Sequence, residues 1–256
     1  MYTIVISNFP CFCIKHEELP FFVGGYMKKR LFYTEIAYVL GLMLLAAGTA
    51  LTAFGGFGLS MVVAPAYILH LFVSRFLPFF SFGMAEYTLQ AIVLIVMMLI
   101  LRKVKFTYFL SFLAAVLYGF ALDGAILLSA FLPEGIIVRI LAYVFGALIC
   151  CASLPLLFCS YLPPEAYEMF VKEVARKTGK PVHKIKMFYD YGSLAVSVIL
   201  SFLLLGGLKG VGIGTVVCAI SYGFIIRMFQ KLYEKIFRFE DKLKWRRHFE
   251  ESEKET

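Results

Sequence analysis

Glu86–Phe120 (EYTLQAIVLIVMMLILRKVKFTYFLSFLAAVLYGF) lies without a gap over Asp190–Phe224 (DYGSLAVSVILSFLLLGGLKGVGIGTVVCAISYGF), 104 residues further on. Ten positions are identical: Tyr87/Tyr191, Ala91/Ala195, Ile95/Ile199, Leu99/Leu203, Leu101/Leu205, Lys105/Lys209, Ala115/Ala219 and the run Tyr118-Gly119-Phe120/Tyr222-Gly223-Phe224. The first four pairs recur every four residues, which is one face of a helix. Apolar segments match one another by chance. A shared Tyr-Gly-Phe, with a carboxylate opening each copy (Glu86, Asp190), does not follow from apolar composition. If each half crosses a membrane an odd number of times, the second is upside down relative to the first, and inverted repeats are a transporter signature.

Composition puts the chain in a membrane. Of 256 residues 61% are hydrophobic and 16% charged, with a mean hydropathy of +0.83. Soluble domains carry about 25% charged residues, so the chain reads as all-α and polytopic, with little room for a soluble domain. The net charge of +8 comes from clustered basic residues. No nucleic-acid motif accompanies them, and membrane topology accounts for the excess.

A span needs about 20 apolar residues. Six stretches supply them, roughly 34–54, 84–101, 107–131, 136–160, 187–206 and 211–230. Two others are shorter. Gly55-Gly56-Phe57-Gly58-Leu59-Ser60 breaks the first helix, Ser60 is placed to cap a new one over Met61–Val73, and Pro65 falls in its first turn. Leu162–Lys177, opened by Pro163-Pro164-Glu165, sets Tyr167, Phe170, Val171 and Val174 opposite Glu168, Lys172, Glu173 and Arg176, an amphipathic pattern. If Met61–Val73 only dips into the membrane, Arg102–Lys105, Lys172–Lys186, Lys28–Arg30 and the basic C-terminus all fall inside. Arg75, Arg139 and Lys209 are left outside. The positive-inside rule favours this arrangement. It predicts six transmembrane helices as two inverted three-helix repeats, with both termini cytoplasmic. The first half carries a glycine-broken re-entrant half-helix and the second an amphipathic helix, expected to be too polar to re-enter.

The divisions that follow are an N-terminal extension over 1–26, a first membrane repeat over 27–131, a second over 132–230 and a basic tail over 231–256. Residues 1–26 fit a signal peptide poorly, and Met27-Lys28-Lys29-Arg30 is a good cytoplasmic lead-in. Translation is expected to begin at Met27, with Gly24-Gly25-Tyr26 encoded by a ribosome-binding sequence. A gene lacking a purine run there would refute this. The tail should continue the last helix, with Phe229, Leu232, Ile236, Phe239 and Leu243 on one face and a basic face able to attract anionic headgroups at about 1 kcal/mol per charge.

Glu86 and Asp190 are the leading binding candidates. A carboxylate inside a span costs about 2.5–3.5 kcal/mol and usually faces a cavity, a partner or an ion path. On the inverted reading the two face opposite sides of the membrane, as symmetric acids for a cation or proton. The competing reading places each at a helix N-terminus, stabilised by the macrodipole. Ser60, Tyr67 and Gln90 would line a site at the broken helix, where exposed N–H and C=O groups favour ions. Tyr118, Asp123 and Tyr222 complete the set, Asp123 with Arg227 as its unlike repeat partner.

Other patterns carry less. His16, His70, His183 and His248 are scattered, and neither H-E-x-x-H nor G-x-S-x-G occurs, so no catalytic residues and no enzyme activity are expected. Cys11, Cys13 and His16 form only a weak metal pattern; Cys150, Cys151, Cys159 and Cys218 read as packing residues. No metal or other cofactor is expected. Gly206–Gly214 lacks P-loop spacing and suits close helix packing.

The broken Gly41–Ser60 stretch, Pro65-Ala66-Tyr67, Ala85-Glu86-Tyr87, Tyr161–Tyr167 and Gly210–Thr215 together resemble the YczE/YitT-like bacterial integral membrane proteins, over about residues 27–238. The resemblance implies a bacterial cytoplasmic membrane protein of a group regarded as transporters without a settled substrate. It implies no particular site residues. The expected function is transport of an unidentified small molecule or ion by alternating access. The alternative is an accessory or regulatory membrane protein working through a partner complex. Expected partners are membrane lipids, with anionic headgroups at the basic tail, the small molecule or ion, and a second copy if the chain forms a homodimer. No nucleic acid is expected.

Overall fold

Glycines seven residues apart on the first long helix set how closely the bundle packs. The computed structural model describes residues 30–180 and 182–241. Strand β1 (Arg30–Tyr33) leads into α1 (Thr34–Gly55), which faces α5 (Ile136–Phe158) along most of its length. A methyl group at Gly48 would meet Gly146 O at 2.8 Å, and one at Gly146 would meet Gly48 O at 2.7 Å. Gly41 is pressed in the same way against Leu157, and Gly55 against Tyr143. Lipid supplies no hydrophobic drive between helices, so backbones brought together by small residues carry the association.

The remaining helices repeat one order twice. After α1 come a short α2 (Ala64–Val73) and the long α3 (Phe82–Leu101) and α4 (Phe106–Ser129). After α5 come a short α6 (Ala166–Thr178) and the long α7 (Val182–Leu205) and α8 (Ile213–Ile236). The pairings follow the same rule: α4 packs on α1 as α8 packs on α5, and each short helix packs on the third helix of both halves. Six of these helices are long and apolar enough to cross a membrane, so the protein is a multi-pass membrane protein by that measure.

Local chemistry sets the helix ends. Gly56, in the left-handed region (φ 76°), closes α1 and donates its N–H to Thr52 O and Ala53 O. Ser81 caps α3 by accepting from Met84 N at 3.0 Å. Pro163-Pro164 cannot continue α5, and the new helix α6 starts right after Glu165.

Both short helices begin level with the middle of a long one. Ser193, halfway along α7, donates to Met61 O at 2.7 Å just ahead of α2. Gln90, near the middle of α3, accepts from Ala166 N at 3.1 Å in the first turn of α6. Each short helix then runs outward: Lys177 Nζ at the end of α6 reaches Ile100 O in the last turn of α3 at 2.5 Å.

Two glycine-rich loops interlock at the end of the bundle opposite β1. Leu59 N donates to Gly210 O at 3.0 Å and Gly214 N to Phe57 O at 2.9 Å. Gly58 (φ 110°) leaves room for Thr215 Oγ1, which would stand 2.5 Å from an added methyl. The break after α1 is therefore held by the α7–α8 loop, a pairing across 150 residues of chain that helical spacing does not reveal.

Several expectations need correction. Ser60 does not cap the second helix, which starts at Ala64 with Val63 at its N-cap and no side-chain cap bond, and Glu86 lies one turn inside α3 instead of opening it. The helix expected to run through Leu243 stops at Ile236, and Phe237–Glu240 forms strand β2, parallel to β1 with Arg30 opposite Phe237. Phe237-Arg238-Phe239-Glu240 alternates apolar and polar, which suits a two-residue period, and Phe32 packs between the two phenylalanines at centroid distances of 5.1 and 6.1 Å. The helix expected from 187 begins at Val182. Asp190 thus sits about two turns inside α7 rather than opening it. Residues 1–26, Met27–Lys29 and the tail beyond Asp241, including Leu243, lie outside the described residues.

Candidate functional site

Glu86 is fully buried, and so is Gln90 one turn on. Neither carboxylate oxygen of Glu86 has a hydrogen-bond partner of good geometry, and neither does Gln90 Nε2. A buried polar group left unpaired in this way costs several kcal/mol in an apolar setting. The groups around Glu86 come from three other elements. Glu165 and Tyr167 approach from the start of α6, Tyr118 from the middle of α4 and Tyr189 from α7. Tyr167 is buried, and its hydroxyl and Gln90 are the hydrogen-bonding neighbours of Glu86, at geometry looser than a well-formed bond.

The sequence puts these groups together for simple reasons. Pro163-Pro164 stops the chain at depth, where their carbonyls accept from Tyr38 Oη at 2.9 Å and Ser111 Oγ at 2.6 Å. Glu165 then occupies the N-cap position of α6 and Tyr167 lies in its first turn. Gln90 Oε1 takes up one free N–H of that turn. Glu165 Oε1 is buried and unpartnered. Burial pushes its carboxyl up to about 7, Glu168 adds to the rise and Lys186 opposes it.

Beyond Glu165 the cluster continues along α6 and α7. Lys186 Nζ pairs with Glu168 Oε1 and lies 3.5 Å from Asp190 Oδ1. Glu86 and Asp190, expected at separate ends of a symmetric pair, are instead joined through one helix, with Tyr189 in the field of both. The described residues hold no group of three or more metal-ligating side chains.

The other candidates are dispersed. Asp123 accepts from Ser81 Oγ at 2.5 Å and Gly83 N at 2.7 Å, so it ties the start of α3 to α4. Tyr118 donates to Thr49 Oγ1 at 3.0 Å and reaches the cluster from its edge. Tyr222 lies among Cys150, Cys151 and Cys218 on the α5–α8 side. Tyr67 packs edge-on against Phe82 with centroids 5.1 Å apart. Ser60 accepts through its carbonyl from Val63 N and Ala64 N ahead of α2.

Glu165, Glu168, Lys186 and Tyr189 are the residues that sequence reasoning passed over. A signal existed for one of them: Lys186 stands four residues before Asp190, its opposite in charge, at the head of an apolar run, the spacing of a helical ion pair.

Residues 32–231 match a family of unknown function, DUF6198. The chain belongs to that family. The matched stretch holds all eight helices except the last turn or so of α8, together with every residue of the α3–α6–α7 cluster. The family's description carries no activity. No curated protein and no solved structure matches the chain.

Proposed function

We propose that this member of DUF6198 is a transporter that moves a small molecule or ion by alternating access, with Glu86 as its working group. The observation that carries the proposal is Glu86 itself. A carboxyl group with no exposed surface, held among Tyr167, Gln90 and Glu165 with no basic group acting on it among the described residues, suits a site that takes up and gives up a proton or a cation during a working cycle.

The architecture supports the same reading. The twice-repeated order of elements, and the pairing of each short helix with the third helix of the opposite half, suit two inverted three-span repeats. The depth at which α2 and α6 begin suits a re-entrant half-helix in each half, the second included despite its charge. Its polar residues are accommodated because Glu168 meets Lys186 and Glu173 meets Lys105 at 3.2 Å. Discontinuous helices near the bilayer midplane are where transporter sites are built. On this reading the membrane is the bacterial cytoplasmic membrane and both termini are cytoplasmic.

The test is a thermal-shift screen of the purified full chain against ions and metabolites, followed by flux of each hit in proteoliposomes. Glu86→Gln should keep the fold and lose the flux. Wild-type flux in that variant would end the proposal.

A further inference from the structure

Three carboxylates and one ammonium lead up to Glu86 from the end of the bundle that carries β1 and β2. The outermost group is Lys186 of α7 with Glu168 of α6 and Asp190 of α7, whose side chains are 28, 27 and 25% exposed. Glu165 is one helical turn before Glu168 and lies in the field of both Glu168 and Lys186. On its other side Glu165 acts on Glu86, which has no exposed surface at all. The series runs from partly exposed, ion-paired acids to Glu86, which has no exposed surface. Gln90 and Tyr167, both buried, stand beside Glu86 as its hydrogen-bonding neighbours, and Gln90 Oε1 in turn accepts from Ala166 N next to Glu165 at 3.1 Å.

We propose that Asp190, Glu168 and Lys186 form the mouth, Glu165 the middle station and Glu86 the terminus of a proton path opening on the end of the bundle where β1 and β2 lie. The inference rests on the reading of Glu86 as the working group and adds to it the coupling ion and its side of entry. A metal cation would have to pass the Lys186 ammonium, which repels it. A proton travels on the carboxylates themselves, each taking it on one oxygen and releasing it from the other, so no free cation has to move past Lys186. A hydronium ion gives its proton to Asp190 or Glu168 and leaves as water. The carboxylic acid so formed passes the proton to Glu165, and Glu165 passes it to Glu86, each donor returning to carboxylate. One positive charge moves inward and no bond other than O–H is made or broken.

The groups that set the path's pH response come from every packed element. Glu86 faces Glu165 and Tyr167 of α6, Tyr118 of α4 and Tyr189 of α7, with Gln90 on its own helix. Glu165 faces Tyr38 of α1, Tyr118 of α4, and Glu168 and Lys186. The tyrosine hydroxyls can relay only by donating and accepting together.

Infrared difference spectroscopy on the full chain in liposomes tests this without any cargo. A protonated-carboxyl band that vanishes in Glu86→Gln assigns Glu86, and its hydrogen–deuterium exchange rate reads the path. Glu165→Gln should slow that exchange by about 100-fold, the low end of what a positioned proton carrier supplies. The double variant Glu168→Gln/Asp190→Asn, altered only at the more exposed mouth, should slow it as well and serves if Glu165→Gln misfolds. An unchanged rate in the variants overturns the path. So does a Glu86 band that responds to Na+ or K+ at constant pH instead of to pH, and so does the lack of any Glu86 band. If exchange depends on Glu165 while no cargo moves, the path stands and the transport reading falls. If cargo moves and exchange ignores Glu165, the transport reading stands and the path falls.

Discussion

A carboxyl group that burial holds protonated links stability to pH, and Glu165 is such a group. Its pKa is about 7 in the folded protein against an ordinary 4.5. Below 4.5 folded and unfolded chains are both protonated, and the folded state has its full stability from this group. As pH rises towards 7 the unfolded chain releases the proton while the folded one keeps it, so stability falls across that window and levels off above it. Thermal unfolding in detergent should show this decline, and Glu165→Gln should remove part of it; parallel curves for the two proteins would contradict the assignment. Glu86 makes a second prediction. Removing its charge while keeping its shape should leave the unfolding temperature unchanged or raised, because an unpaired buried carboxylate is itself a cost. The two acids also differ in how visible they were. Glu86 stands alone in an apolar segment and is conspicuous. Glu165 hides behind Pro163-Pro164 in a segment whose charge resembles an ordinary surface helix. Asp190 was visible but misplaced, because the polar residues ahead of it delayed the apparent start of α7.

At the scale of elements, the glycines separate packing from propensity. Gly48 and Gly146 hold α1 and α5 at backbone contact, so Gly48→Leu should destabilise by at least about 1–3 kcal/mol, the cost of overpacking a closed interface. Gly58→Ala should also lower the unfolding temperature, through its positive φ and its contact with Thr215. Gly124 in α4 has nothing within 4 Å of an added methyl, so Gly124→Ala should be neutral or stabilise by up to about 1 kcal/mol. Thermal shifts of the three variants in one detergent check the order. The repeated Tyr-Gly-Phe shows why self-similarity located the elements but not their contacts. Gly119 lies against Gly83, whereas its counterpart Gly223 has nothing within 4 Å. Tyr118 bonds Thr49, whereas Tyr222 lies among cysteines. One sequence pattern can keep helix positions while each half packs differently, and only coordinates distinguish the two. The interlocked loops at Gly58 and Gly212 were likewise visible as glycine-rich stretches, with nothing in either to name the other as its partner.

For the whole molecule, charge and contacts sort the loops onto two ends independently. The Arg102–Lys105 loop meets α6 through Lys105 and Glu173. The α5–α6 segment meets the start of α1 through Tyr161 and Glu35 at 3.1 Å. The β1–β2 pair, tied by Thr34 Oγ1 to Asp241 Oδ1 at 2.8 Å, brings the start of α1 and the end of α8 to that same end. Lys209 and Arg139 belong to the opposite end, beside Leu59 and Gly55. This distribution is what a cytoplasmic location of both termini would require, and a short α2 that dips and returns is consistent with it. The cysteines in the described residues are buried, so with Cys11 and Cys13 replaced by serine single cysteines can be introduced as reporters. Lys103→Cys and Lys180→Cys should react with a membrane-impermeant maleimide only from the cytoplasmic side, and Lys209→Cys only from outside. Arg75→Cys, just after α2, should label with Lys209→Cys. If it labels from the same side as Arg30→Cys, just ahead of α1, then α2 crosses the membrane, the two halves run parallel, and the inverted arrangement on which the transport proposal draws is wrong.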